Sequence, residues 1–306
     1  MRIFHNLHID FMSKRRMFYG LSGLIILIGI ISMVMKGLTY GIDFKGGTEV
    51  IVRFQQAEPI EKVRSVMDAA KSGTFEIKTF GSQRDYMIRT DRKGEGAKIS
   101  TAIKDALAKG FQGERIEILA ENRVEAKIGS EIRRDSIIAL FLSLIGILIY
   151  LGFRFKFVFA YGAVIALFHD VLLTLGLVSI FDGVIPGLNL EMSQALLAAF
   201  LTLIGFSVND TVVVFDRVRE NLKLFKTQNF IDILNKSMNT TMSRTILTSF
   251  TVFIACIALL FFGGEPTRGF AFVMAIGVVT GTYSSIFVAS ALTADWVEKR
   301  GTKITF

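Results

Sequence analysis

Six stretches of the chain stay apolar long enough to cross about 30 Å of hydrocarbon. They lie at 17–36, 136–153, 157–181, 193–215, 245–263 and 269–292. The pattern changes between the first and the second. Residues 48–54 alternate apolar and polar, as a half-buried strand does. Residues 58–71 place Ile60, Val63, Val66, Met67 and Ala70 at helical spacing. Segments 75–80 and 86–90 read as strands separated by Gly81-Ser82-Gln83. Residues 97–109 read as a second helix through Ile99, Ala102, Ile103, Ala106 and Leu107, and 115–120 as a last strand.

The order β-α-β-β-α-β predicts a small ferredoxin-like α+β domain. The predicted fold class is therefore an α-helical polytopic membrane protein, with six transmembrane helices and this domain between helices 1 and 2. The chain divides into 1–36, with the N-terminus and helix 1; 37–132, the α+β domain; and 133–306, with helices 2–6. Within the last, 217–243 is the one long connection. Its Phe230, Ile231, Ile233, Leu234 and Met238 predict an amphipathic helix lying at the membrane surface.

Charge adds orientation. The formal net charge is +8. Arg2, Lys14, Arg15 and Arg16 precede the first span, and Arg154 and Lys156 join the second and third. Arg217, Arg219, Lys223, Lys226 and Lys236 follow the fourth, and Lys299, Arg300 and Lys303 follow the sixth. The opposite short loops carry Asp182 and Glu191, then Glu265 and Arg268. The positive-inside bias predicts cytoplasmic termini, with the large loop on the other side. No basic patch with interleaved aromatics stands outside the spans, so nucleic acid is not an expected partner. Met35-Lys36-Gly37-Leu38 offers no small-x-small cleavage site, so the first apolar block reads as an uncleaved helix. Cys256 is the only cysteine and reads as a packing residue. Prolines occur only at 59, 186 and 266, outside the spans, which favours rigid-body tilting over hinges within a helix.

Candidate chemistry sits inside the spans. A carboxylate at a helix centre costs roughly 2.5–3.5 kcal/mol on insertion scales, so Asp210 needs a reason to be there. With span four ending near Asp216, Asp210 lies roughly 9 Å inside the cytoplasmic end. Ser207 and Arg217 share its face, while Asn209 points to an adjacent face with Thr202 and Gly205. Ser237, Thr241, Arg244, Thr248 and Thr251 form a stripe on the next helix. Arg244 is the expected partner of Asp210. A guanidinium favours the charged carboxyl and burial favours the protonated one, a balance that suits a proton relay. A static salt bridge fits the same residues. In span three, His169-Asp170 lies near mid-membrane with Thr174 one turn on, and fits a structural pair as well as a relay. Gly277 and Gly281 have the spacing of close helix contact.

No phosphate-binding loop, HExxH or Cys/His cluster is present, and the three histidines make no Ser-His-Asp arrangement. Enzymatic chemistry, a metal and a cofactor are not expected. An intramembrane carboxylate without a nucleotide site points to ion-coupled work.

The motifs resemble those of the SecD/SecF family of bacterial protein export. They are Gly41-Ile42-Asp43-Phe44-Lys45-Gly46-Gly47-Thr48 and Phe168-His169-Asp170. A third is Gly205-Phe206-Ser207-Val208-Asn209-Asp210-Thr211-Val212-Val213-Val214-Phe215-Asp216-Arg217-Val218-Arg219-Glu220-Asn221. Arg244-Thr245 and Phe262-Gly263-Gly264 extend the likeness, which runs over essentially the whole chain and is closest to the SecF branch. The resemblance implies a subunit that pairs with SecD in the bacterial inner membrane. With the SecYEG channel and other Sec accessory membrane proteins, the pair uses the proton-motive force to help draw unfolded, exported polypeptides across. It implies that the α+β domain is periplasmic and that Asp210 and Arg244 serve proton passage. Ser207, Asn209, Thr248 and Thr251 support the path, and His169 and Asp170 are weaker candidates. Some marine members use sodium, so the coupling ion stays open. Two rivals are a half-subunit of a proton-driven small-molecule exporter and a purely structural assembly subunit.

Overall fold

The computed structural model describes residues 8–70, 75–90, 96–185 and 188–300. Arg2, His5, Lys71, Pro186 and Lys303 of the sequence reading lie outside them.

Helix α1 (Arg15–Lys36) is the first span and ends at Gly37, whose φ of +74° stops it. A single turn, α2 (Ile42–Lys45), follows, and the α+β domain begins at Gly47. It runs β1 (Gly47–Arg53), α3 (Ile60–Ala69), β2 (Phe75–Phe80), β3 (Ser82–Thr90), α4 (Gly96–Gly110) and β4 (Glu117–Val124). The sheet order is β2-β3-β1-β4, and every pairing is antiparallel. This is the ferredoxin-like arrangement that the element order predicts. Gly81 takes φ +68° at the β2–β3 hairpin, so β3 starts earlier than its apolar run, and β4 runs on past residue 120.

One face of the sheet packs Val50, Val52 and Ile88 against Val63, Met67, Ile103 and Leu107 of α3 and α4. Antiparallel sheets commonly leave the second face wet. Here Glu49, Ile51, Met87 and Arg89 on that face are buried too, because the sheet lies over one end of the helix bundle.

The bundle adds α5 (Ala126–Arg154), α6 (Phe157–Phe181), α7 (Gln194–Leu224), α8 (Phe230–Phe262) and α9 (Glu265–Ser284). A π-helical turn at Ser285–Ala289 joins α9 to α10 (Ser290–Arg300), so the last span is one long helix with one wide turn. With α1 these make six helices long and apolar enough to cross a membrane, and the chain is a multi-pass membrane protein. α6, α7 and α9 are inner helices; α1, α5 and α8 are mostly exposed along their apolar length.

The long connection expected at 217–243 is replaced by helix. α7 continues to Leu224, and α8 starts at Phe230 behind the Asn229 cap, so the link is 225–229. The apolar face of 230–238 turns inward: Ile233, Leu234 and Met238 are buried with Phe159 and Phe215. Two long antiparallel neighbours supply that surface themselves, with Asn221 Nδ2 donating to Ser237 Oγ at 2.8 Å between them. Contact is closest where side chains vanish. A Cβ on Gly29 of α1 would lie 2.6 Å from Gly176 Cα of α6. Gly277 and Gly281 pack on Leu203 and Ser207 of α7, as their spacing predicts.

Candidate functional site: two buried carboxylates

Asp210 sits near the middle of α7, about 24 Å of rise from Gln194 and about 21 Å from Leu224. α7 runs on past Asp216 to Leu224 with polar residues, so the middle of the helix is not the middle of the apolar span, and Asp210 still lies roughly 9 Å inside the end of that span near Asp216. Asp210 is 2% exposed. Its Oδ2 accepts from Ser249 Oγ of α8 at 3.2 Å and from Thr282 Oγ1 of α9 at 3.3 Å. Those hydroxyls also bond each other at 2.6 Å. Among the described residues, no ion pair joins Asp210 to Arg244.

Arg244 is exposed on the outer face of α8. Thr248 and Thr251 are exposed beside it and donate to carbonyls of their own helix, at 3.1 Å to Arg244 O and 2.8 Å to Thr248 O. Asn209 is exposed on α7. The stripe expected to line one path therefore splits. Each i+4 step turns a helix by about 40°, so a packing seam that follows i+4 leaves the starting face. The buried row is Ser237, Thr241, Thr245 and Ser249, while Arg244, Thr248 and Thr251 stay outside. Nothing in the sequence separates Ser249 and Thr282 from other intramembrane hydroxyls, so neither was singled out.

A second centre lies beside the first. Asp170 of α6 is 1% exposed. Its Oδ1 pairs with His169 Nδ1 at 2.9 Å. Its Oδ2 accepts from Ser207 Oγ at 2.5 Å and from Ser284 Oγ at 2.7 Å. Ser207 thus serves Asp170 rather than lining a route at Asp210. His169 Nε2 is buried without a hydrogen-bond partner, and its ring lies near Tyr283. Thr211 Oγ1 and Ser285 Oγ, 2.8 Å apart, add a contact between α7 and the π-helical turn. The two carboxylates share one supporting helix, α9, where Thr282 lies two residues from Ser284, and α7 carries both Asp210 and, one turn away, Ser207.

The glycine motif is a joint rather than a chemical site. Gly41 N donates to Met192 O at 3.0 Å, and Met192 N donates to Thr39 O at 2.8 Å. Asp43 Oδ2 accepts from Gln194 N, the first residue of α7, at 3.0 Å. Phe44 is buried edge-on to Tyr40. Gly46 has φ +75°, and a Cβ there would lie 2.5 Å from Ala126 Cα at the start of α5. Gly47, with φ +132°, opens β1. These residues join the exit of α1 to the starts of α5 and α7.

Above the joint lies a charged layer that sequence reasoning missed. Arg89 Nη2 is 2.8 Å from both Glu49 Oε2 and Glu191 Oε2. Lys78 Nζ bonds Glu191 Oε1 and lies 3.0 Å from Glu76 Oε1. Burial works against both cations, but the hydrogen bonds and charge of Glu191, together with Glu76 at Lys78 and Glu49 at Arg89, outweigh it and hold both above their ordinary ranges. In the sequence Glu191 is legible only as a loop charge.

Six long apolar helices, one ferredoxin-like domain after the first, and two hydroxyl-bound carboxylates inside the bundle define a multi-pass membrane subunit with a buried acidic centre. Residues 103–299 match the family described as Protein export membrane protein SecD/SecF, C-terminal, and residues 31–58 match the SecD/SecF GG Motif. Protein translocase subunit SecF of Rhodothermus marinus is 41% identical over 295 residues, covering 96% of this chain and 95% of the relative. The subunit of that name from Desulfurispirillum indicum is 40% identical over 296 residues, covering 94% and 92%. The crystal structure of SecDF from Thermus thermophilus, a translocon-associated membrane protein, superposes with a TM-score of 0.83 at 32% identity. The match covers 96% of this chain but 39% of that one, so the chain spans about two-fifths of that SecDF. This chain belongs to the SecD/SecF family, among its SecF members.

Proposed function

We propose that this chain is the SecF-type subunit of a Sec translocase accessory complex, and that Asp210 takes up and releases the coupling proton. It works with a SecD-type subunit beside the SecYEG channel in a bacterial inner membrane. Its termini are cytoplasmic, its α+β domain is periplasmic, and its substrate is an unfolded, exported polypeptide. Carrying the reading is a carboxyl group buried within a spanning helix, held by two hydroxyls and in no ion pair among the described residues. A hydroxyl both donates and accepts, so Ser249 and Thr282 can serve the carboxylate and the neutral acid alike. Moving one charge through 100 mV supplies about 2.3 kcal/mol. Protonation removes an intramembrane charge whose insertion cost is of similar size. Asp170 and His169 form the second polar centre on the neighbouring α6, bonded to α7 and α9. Arg244, with Asn209 and Thr248, lies on an outer face that the partner subunit would cover, and there it would tune the path in the assembled pair.

The missing Asp210–Arg244 contact weighs against a static bridge. In inverted membrane vesicles containing the partner, Asp210→Asn should keep normal abundance and copurification. Translocation should lose its stimulation by a proton gradient, with a sodium gradient as the parallel arm. Undiminished stimulation by the proton gradient in that variant overturns the reading.

A further inference from the structure

The charged layer between the sheet and the bundle lies apart from the two intramembrane carboxylates, and its Glu191 and Arg89 side chains are only 3% and 9% exposed. Glu191 lies two residues before Ser193, the cap of α7, and its side chain is 3% exposed. It reaches upward with both oxygens, Oε2 to Arg89 of β3 and Oε1 to Lys78 of β2. Arg89, 9% exposed along its side chain, also holds Glu49 of β1, which accepts from Asn122 Nδ2 of β4 at 3.3 Å. Glu191 therefore engages β2 and β3 directly, β1 through Arg89, and β4 through Arg89 and Glu49.

The packing under the sheet is not close. A cavity of about 410 Å³ opens beside these charges, lined by Asp43, Glu49, Arg89, Asn122, Arg123 and Glu191 among others. Arg89 Nε is buried there without a partner. Apolar packing alone therefore does not fix the height and angle of the sheet over α7. Buried ion pairs contribute little net stability, but they define register well, because a displaced pair leaves buried charge uncompensated. α7 is also the helix that carries Asp210.

We propose that the Glu191–Arg89–Lys78 junction makes the sheet domain follow α7, so that Arg89 and Glu191 are positioning residues that carry a change at Asp210 out of the membrane. This rests on the proton reading above. Neither residue bonds Asp210 or Asp170. They act by fixing one rigid body to another, which is how packed proteins pass on small displacements.

The test uses the full chain with its partner in vesicles. Spin labels go on Glu61→Cys in α3 and Ala198→Cys in α7, in a Cys256→Ser background. A combined Glu49→Gln, Arg89→Met and Glu191→Gln variant removes the buried charges without orphaning one. Two results are expected together: at least a twofold broader label–label distance distribution, and at least a fivefold loss of gradient-stimulated translocation. An unchanged width overturns the proposal, and so does a broadened distribution with undiminished stimulation. With the junction intact, the same labels should keep one distance with and without a gradient. A gradient-dependent change there overturns the proposal even if the triple variant fails to accumulate. Asp210→Asn run alongside separates the two ideas. If it translocates normally, the proton reading falls while the distance width still judges the junction.

Discussion

Asp85 stands directly opposite Arg53 in the β1–β3 register, and the guanidinium grips both carboxylate oxygens, at 2.7 and 2.8 Å. This pairing holds Asp85 below its ordinary value of 3.8. The sign follows from linkage: the folded domain binds that proton more weakly than the unfolded chain does. The contribution is therefore complete above about pH 4 and is lost as pH falls through the lower folded value. Asp85→Asn should cost about 1 kcal/mol at neutral pH, allowing for an exposed guanidinium. It should also flatten the acid limb of domain unfolding, as followed by thermal melts of the full chain in detergent between pH 2 and pH 7. An acid limb identical to the parent's would show that the pair contributes nothing.

Single residues were the least legible level of the sequence. Asp210 and Asp170 stood out, because a carboxylate in an apolar run always calls for a partner. Their partners did not, because Ser249, Thr282, Ser207 and Ser284 come from other helices and sequence spacing does not encode which helix faces which. Arg244 was assigned to Asp210 by proximity in the chain. The packing seam gave that place to hydroxyls instead.

Among the elements, α1 and α6 show how little decides a helix contact. Gly29 and Gly176 touch backbone to backbone, and Ser32 Oγ and Ser179 Oγ meet at 2.9 Å nearby. Gly176→Leu should separate the helices and cost about 1–3 kcal/mol by overpacking. Gly20→Ala, on the same α1 where nothing lies within 4 Å, should be close to neutral. Thermal unfolding of the two variants in one detergent makes the comparison, and equal melting would remove the glycine contact from the account. Elements were well read wherever one face meets water or lipid throughout. The apolar runs located all six spans, and alternation located the sheet domain. Helix ends past the hydrocarbon were not legible, since α7 and α8 continue with polar residues that cap and pair each other. The π-helical turn had no signal either: Ser285–Ala289 has the composition of ordinary helix.

At the scale of the molecule, the exposed lengths of α1, α5 and α8 match a bundle that meets lipid or a partner on several sides. The segment before α1 is tied down by a residue pair far along the chain. Asn239 exchanges hydrogen bonds with Ile9, and Asn235 Oδ1 accepts from Phe11 N and Met12 N at 3.0 and 3.2 Å. The two asparagines behave like a short neighbouring strand. Ile9 and Asn239 are 230 positions apart. At about 5–20 residues per second, a ribosome reaches Asn239 tens of seconds after it has made the tail. Until then the tail has no dock and is open to proteases and chaperones. A cysteine at Ile9 should react readily with maleimide in nascent chains halted at 225 and should be shielded in chains halted beyond 262. Equal labelling at both lengths would show that the dock forms without α8. If the shielding appears, the tail is a timer, and its closing marks the moment when the last outer helix has come home.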